Sequence, residues 1–252
     1  MTKNLINFFL FLVICLPLQA QITMKNPILN NLSLGFSFGL TQFHGDIFEK
    51  KNVEPVFSIN LGIPIEDNKY SLQVECISGG LSAENVFSSS SENAGVMEEI
   101  SIEGERFDMQ FIELDVNLLI SLSTLFNDIV YQRMGSRLKV NNRKFDFLLK
   151  LGAGLNMFRS LRQELETEKF INSYGYDWQW ENNFENAGSK KNNSVNEGVF
   201  VLGLIGKYKL LEDWDIDFSA TTRIGDTDKW DAKINSINDM FMLYSLGAAF
   251  TF

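Results

Sequence analysis

Leu32, Leu34, Phe36, Phe38 and Leu40 alternate with Ser33, Gly35, Ser37 and Gly39. Successive side chains on a strand point to opposite faces, so this period of two builds one greasy face and one small, polar face. The pattern recurs along the chain. A second run is Phe57, Ile59, Leu61 and Ile63, and a third is Tyr70, Leu72, Val74 and Cys76. A fourth, Ile112, Leu114, Val116 and Leu118, is interleaved with Glu113, Asp115 and Asn117. A fifth runs from Phe145 to Leu155, a sixth through Phe200, Leu202, Leu204 and Tyr208, and a seventh from Trp214 to Ala220. The eighth takes Met240, Met242, Tyr244, Leu246, Ala248, Phe250 and Phe252. Each run is about ten residues long, and tilted strands of about 9–11 residues cross a bilayer. About eight strands is the smallest number that closes into a filled barrel. A bilayer has no water to satisfy an open sheet edge, so closure is obligatory there.

A soluble lipocalin-like barrel or a sandwich also alternates, with its greasy face turned inward. Three features favour the membrane barrel. The polar faces are rich in Gly, Ser and Asn, small enough for a narrow lumen. The greasy faces are almost free of charge over whole strands. The last strand ends with Phe252 on its greasy face, and an aromatic C-terminus so placed resembles the assembly signal of outer-membrane barrels, with Tyr244 and Phe250 beside it. Mean hydropathy is near zero, far below that of a helical membrane bundle, and after residue 20 no apolar run approaches the length of a membrane-spanning helix. The expected fold is all-β: an eight-stranded antiparallel up-and-down transmembrane β-barrel.

The first twenty residues read as a secretory signal. Lys3 supplies the positive charge, Leu5 to Leu18 is almost wholly apolar, and cleavage is expected after Ala20. The barrel domain is then 21–252. The whole chain carries 22 Lys+Arg against 32 Asp+Glu, a net −10; without Lys3 the balance is 21 against 32, or −11. Such acidity argues against nucleic acid as a partner. Of the two cysteines, Cys15 leaves with the signal. Cys76 remains, and one thiol cannot form an internal disulfide.

Connections after alternate strands fall into two sets. One set comprises 64–69, 121–144 and 209–213; the other comprises 43–53, 79–108, 157–197 and 225–239. Short turns are periplasmic and long loops extracellular in such barrels, so the second set is expected outside. Segment 121–144 is long for a periplasmic turn and basic, with Arg133, Arg137 and Lys139. It reads as two prolonged strands, or as a contact for an envelope protein. Trp178 and Trp180, with nearby Tyr174 and Tyr176, make an aromatic cluster in the longest loop. That cluster is a candidate binding surface, the loop's own small core, or continued strand.

Alternation points Glu75, Glu113, Asp115, Asp146, Asp215 and Asp217 into the lumen, with Lys150, Lys207 and Arg223. Enclosed charges must be paired or neutralised, so an ion-pair network centred on Arg223 and Lys150 is expected. It would act as a plug more readily than as an ion path, because eight strands leave room for side chains and not for a channel. His44 is the single histidine. Asp46 at i+2 does not make it a catalytic pair, and one histidine cannot build a multi-histidine metal site. Asp226, Asp228 and Asp231 offer oxygen ligands, but Trp230 and Asp231 occupy the fifth and sixth positions, where an EF-hand loop needs Asp or Asn and then Gly. Turn chemistry is the favoured reading of that segment. No cofactor, metal or enzymatic activity is expected.

Four segments carry a resemblance: Phe43-His44-Gly45-Asp46-Ile47, Leu122-Ser123-Thr124-Leu125-Phe126, Leu151 to Arg159, and Asp226-Thr227-Asp228-Lys229-Trp230-Asp231. Together they resemble the Bacteroidota outer-membrane β-barrel proteins of the OmpA-like eight-stranded type, a group that includes barrels linked to type IX secretion and gliding. The signal ending Leu-Gln-Ala-Gln is similar to exported proteins of that phylum. The resemblance covers most of 30–252. It departs at Trp230, where Leu is commoner, and at His44, where Tyr is commoner. It implies outer-membrane lipid and the barrel-assembly machinery as partners. The expected role is non-enzymatic: a structural or interaction barrel of the envelope, with a secretion or motility machine as one setting. A lipid-modifying enzyme using His44, or a narrow porin, are the alternatives.

Overall fold

A computed structural model of the protein describes residues 32–45, 50–66, 69–89, 101–125, 144–176, 194–232 and 238–252. The candidate signal, most of segment 121–144 with Arg133, Arg137 and Lys139, and Trp178 and Trp180 lie outside the described residues. Among the described residues ten strands are present: β1 (Ser33–His44), β2 (Lys50–Lys51), β3 (Val53–Glu66), β4 (Tyr70–Ser89), β5 (Ser101–Ser121), β6 (Phe145–Glu164), β7 (Phe170–Tyr174), β8 (Val195–Lys209), β9 (Trp214–Gly225) and β10 (Met240–Thr251). Eight of them form a ring in sequence order, every neighbour antiparallel. β4 pairs with β5, and β1 pairs with β10 from Ser33↔Thr251 to His44↔Met240. The ring is a closed up-and-down barrel with no free edge. The seam is tied at its end by the Phe252 backbone N–H, which donates to the carbonyl of Leu32 at 3.0 Å. β2 and β7 are short flaps on β4 and β6.

The greasy residues face outward. Phe38, Leu114, Phe147, Phe200, Phe218 and Leu246 are between 49% and 62% exposed, while Glu113, Asp115, Asn117 and Arg223 on the inner faces are fully buried. The alternative in which Phe36, Leu114 and Phe218 meet inside a soluble barrel is therefore not the fold adopted. On β6 the apolar outer face extends from Phe145 to Met157. Twelve steps of about 3.3 Å, tilted about 45°, give a height of about 28 Å, close to the apolar band of outer-membrane barrels. Aromatic rings rim the end where Ser33 and Phe252 lie: Trp214 packs at a tilt against Phe250 at 5.3 Å, Phe250 meets Phe252 edge-on at 5.1 Å, and Phe145 packs at a tilt against Tyr208 at 5.4 Å. Trp and Tyr favour that boundary because one end of the ring is apolar and the other wet.

The strands are longer than the sequence reading allows. Residues 79–108, expected as a loop, are mostly a hairpin in which β4 and β5 pair without a register shift from Tyr70↔Ile120 to Ser89↔Ser101. Residues 157–197 begin as the continuation of β6 and return as β7. The physical reason is a phase change in the alternation. On β5, Phe107, Met109 and Phe111 point inward, and then Ile112, Leu114, Val116 and Leu118 point outward. Strand geometry is continuous across that change; what inverts is which face is greasy. Beyond the belt the outer face meets water, with Asp108 and Gln110 exposed, and the inner face becomes an ordinary hydrophobic core.

Candidate functional site: a charged lumen beneath an acidic cap

Three layers stack inside the barrel. In the lower part, Leu119, Leu148 and Ile205 form a small apolar patch on one wall, beside a polar cavity that Ser33, Gly62, Ser71 and Lys207 also line. The middle layer is charged. Arg223 Nε donates to Glu113 Oε1 at 2.5 Å, its Nη2 stands 3.5 Å from Glu75 Oε2 and 3.7 Å from Asp115 Oδ2, and its Nη1 donates to the Thr221 hydroxyl. Lys150 Nζ bridges to the same Glu75 Oε2, and Ser58 Oγ donates to Glu75 Oε1 at 3.0 Å. Glu75 thus joins the two cations. Asp115 and Asn117 fit because β6 presents Gly154 and Gly152 beside them. A Cβ at Gly154 would run into the Asp115 carboxylate and the Leu114 carbonyl, and one at Gly152 would strike the Asn117 amide. Lys207 and Asp217 face one another in register and line a small polar cavity with Lys150 and Glu75. Asp146 and Asp215 make no ion pair with Arg223 or Lys150 among the described residues; Asp146 is opposite Lys207 in register, nearer the lower rim. Asp146 accepts from Ser121 Oγ at 2.8 Å, beside a helical turn at 122–125, and Asp215 is opposite Lys209 in register.

The upper layer is apolar. Phe43, Phe107, Phe111, Phe158 and Phe241 are buried within it, with Leu81, Met109 and Val199. Phe43 and Phe107 meet edge-on at 4.6 Å, and Phe241 lies with its centroid 5.7 Å from Arg223 Cζ, a cation–π roof over the charged layer. Residues 226–232 of the β9–β10 connection lie over the mouth. Trp230, fully buried, packs on Phe241 at 5.3 Å. Ser160 Oγ on β6 donates to the Trp230 carbonyl at 2.6 Å, and Asn172 Nδ2 on β7 donates to the Ala232 carbonyl at 2.8 Å. Ala232 takes a positive φ of 57° at the turn.

Around Trp230 the cap folds three carboxylates together. Asp228, Asp231 and Asp239 are all buried, each offering an oxygen within 4.8 Å of the others. Asp239 Oδ2 accepts from the Trp230 backbone N–H at 2.7 Å. Burial pushes the Asp239 carboxyl up to about 8, with Asp231 and Asp228 adding to it and the Trp230 and Asp231 backbone N–H groups opposing it. Asp226, grouped with Asp228 and Asp231 in the sequence reading, is exposed and outside this cluster. Sequence reasoning misses Asp239 and the structural part of Trp230; the available signal is an inward-phase Phe241 immediately after an acidic loop containing one tryptophan. His44 ends β1 on the rim, half-buried and opposite Met240. Tyr244 is on the outer face, with Phe250 and Phe252 at the lower rim.

No protein-family model and no curated protein sequence matches the chain. Among solved structures it is similar to Neisserial surface protein A (10% identity, 88% of this chain, 97% of that one, TM-score 0.45). It is also similar to Ail, the attachment invasion locus protein of Yersinia pestis (11% identity, 88% and 99%, TM-score 0.43). A third is a major outer membrane protein from Thermus thermophilus (12% identity, 88% and 99%, TM-score 0.43).

Proposed function

We propose that the chain is an integral outer-membrane β-barrel with a sealed lumen and a non-enzymatic structural or interaction role in the cell envelope. One observation carries this: a belt of exposed Phe, Leu, Ile and Val surrounds a closed barrel whose buried layer holds Arg223, Lys150, Glu75, Glu113 and Asp115. A soluble protein exposing so continuous an apolar surface would aggregate, since monomers rarely show apolar patches beyond a few hundred Å². A lipid bilayer is the solvent in which that surface costs nothing. The lumen is filled by the ion-paired middle layer and roofed by the apolar upper core, which supports a plug over a porin.

The reading assigns the N-terminal segment to export with cleavage after Ala20, outer-membrane lipid and the barrel-assembly machinery to its partners, and the C-terminal aromatics to assembly. The basic stretch with Arg133, Arg137 and Lys139 is the candidate contact for an envelope protein, and Trp178 and Trp180 for an outward-facing one. Membership among the Bacteroidota barrels linked to type IX secretion and gliding rests on the sequence resemblance alone. The test is fractionation with heat-modifiability. The protein should float with outer membranes and run as a compact band unheated in detergent, shifting on boiling. Recovery in the soluble fraction, with one band under both conditions, would overturn the reading.

A further inference from the structure

The geometry points to a site for one phosphorylated glycolipid on the outer wall, where β4, β5 and β6 leave the apolar belt. Two rungs of the ladder cross these strands there. The lower rung, Ser78↔Ile112↔Met157, carries the exposed apolar side chains of Ile112 and Met157. The upper rung, Gly80↔Gln110↔Arg159, is polar and cationic. On both rungs β4 brings Ser or Gly where its neighbours bring long side chains. The shortfall is a groove of about 540 Å³ lined by all six residues. It is greasy towards the belt and cationic away from it, which is the polarity of a lipid at its headgroup. Arg159 is seated in this wall. Gly175, at a φ of 78°, lies against its stem, and a Cβ there would come within 2.7 Å of Arg159 Cγ. Only glycine takes that backbone conformation without cost. Tyr176 follows. Burial pushes its phenol up and the Arg159 charge opposes this, so the two groups lie close and the phenol keeps its proton as a donor at neutral pH.

Charge and height select the occupant. A guanidinium presents its donors as a planar fork that takes phosphate oxygens in pairs. Its five N–H groups serve a phosphate beside the contacts Arg159 makes within the chain. Gln110 and Ser78 add donors and acceptors for sugar hydroxyls, and Ile112 and Met157 lie along the first stretch of an acyl chain. The acids of this face point elsewhere: Asp108 stands one rung higher, opposite Ser82, and the Glu54 carboxylate is directed to Ser82 Oγ at 2.6 Å. The chain as a whole is acidic, at −10, so an anionic headgroup favours this cation over the rest of the wall. A zwitterionic lipid has no such preference. The inference rests on the outer-membrane reading proposed above, in which the long hairpins face outward and the leaflet at this height is built of phosphorylated glycolipid.

The experiment uses the full chain, folded and delipidated in detergent micelles. Diphosphoryl lipid A, phosphatidylglycerol or phosphatidylcholine is added, and retained lipid is counted by native mass spectrometry. One lipid A per chain should be retained at low micromolar concentration. Phosphatidylglycerol should bind at least tenfold more weakly, and phosphatidylcholine should not be retained. R159Q should weaken lipid A at least tenfold. R106Q, a cation of the same strand wall that contacts Gln163 and Glu168 instead, should leave it within twofold. S78W, which fills the groove from the β4 side, should also weaken it at least tenfold, and this variant decides if R159Q loses its heat-modifiable band. Failure of the unaltered chain to retain lipid A would overturn the assignment. So would equal retention of phosphatidylglycerol or phosphatidylcholine, or a folded S78W or R159Q chain that binds as the unaltered one does. A chain that floats with outer membranes yet fails these arms loses the groove site alone, whereas recovery in the soluble fraction removes the membrane reading itself.

Discussion

Arg223 is fully buried and touches the carboxylates of Glu113, Glu75 and Asp115, while Phe241 covers it. Removing one member of such a pair strands the others without water, at a cost of about 3–5 kcal/mol. Arg223→Leu should lower the barrel's stability by that amount, read as a shifted urea midpoint of the folded band. Adding Glu113→Gln should restore part of it, because fewer charges then remain unpaired. An unchanged midpoint for the single variant would show that the acids do not depend on Arg223. This layer is legible without the fold: period two alone sorts Glu113, Asp115, Lys150 and Arg223 onto the inner face. Which acids reach which cation is not, because Glu75 and Arg223 meet across the lumen, and barrel tilt sets that meeting. Asp146 and Asp215 obey the same alternation yet sit lower, opposite Lys207 and Lys209 in register and away from Arg223. Alternation gives a residue's side, not its height.

At the scale of elements, β4, β5 and β6 are about twice the length that the sequence suggests. Their outer faces lose apolar character where the belt ends, and a reading that follows one greasy face stops there. The inner faces carry on with Phe107, Met109, Phe111 and Phe158, so the strand persists while its pattern inverts. The inversion between Phe111 and Ile112 is visible in the sequence once the two faces are tracked separately. The cap is less visible. Trp230 comes from the β9–β10 connection and the buried phenylalanines beneath it from separate strands, and only the closed ring brings them together. Truncating a buried aromatic costs about 3–5 kcal/mol, and here the loss should fall on the cap, since the strand ladders do not involve the indole. Trp230→Ala should therefore speed proteolytic nicking within 226–239 by at least tenfold while the heat-modifiable barrel band persists. Equal nicking rates would mean that Trp230 does not hold the connection in the mouth.

For the whole molecule, the account rests on a barrel turned inside out relative to soluble ones over its lower part and conventional above. The belt reads the solvent: greasy outside where lipid is expected, greasy inside where water is expected. Closure through the β1–β10 seam removes the last free edge, as a bilayer requires. The fold class is legible because eight alternating runs recur. The location is a consequence of which way those faces point, and that is a measurable quantity. Spin labels placed singly on the outer face of β5, in a Cys76→Ser chain reconstituted in vesicles, measure it. Labels at Leu114 and Val116, and one at Phe218 on β9, should collide freely with oxygen and be shielded from a water-soluble nickel chelate. Labels at Asp108 and Gln110, on the same face of the same strand, should show the reverse. Nickel reaching positions 114, 116 and 218 as readily as 108 and 110 would contradict the account.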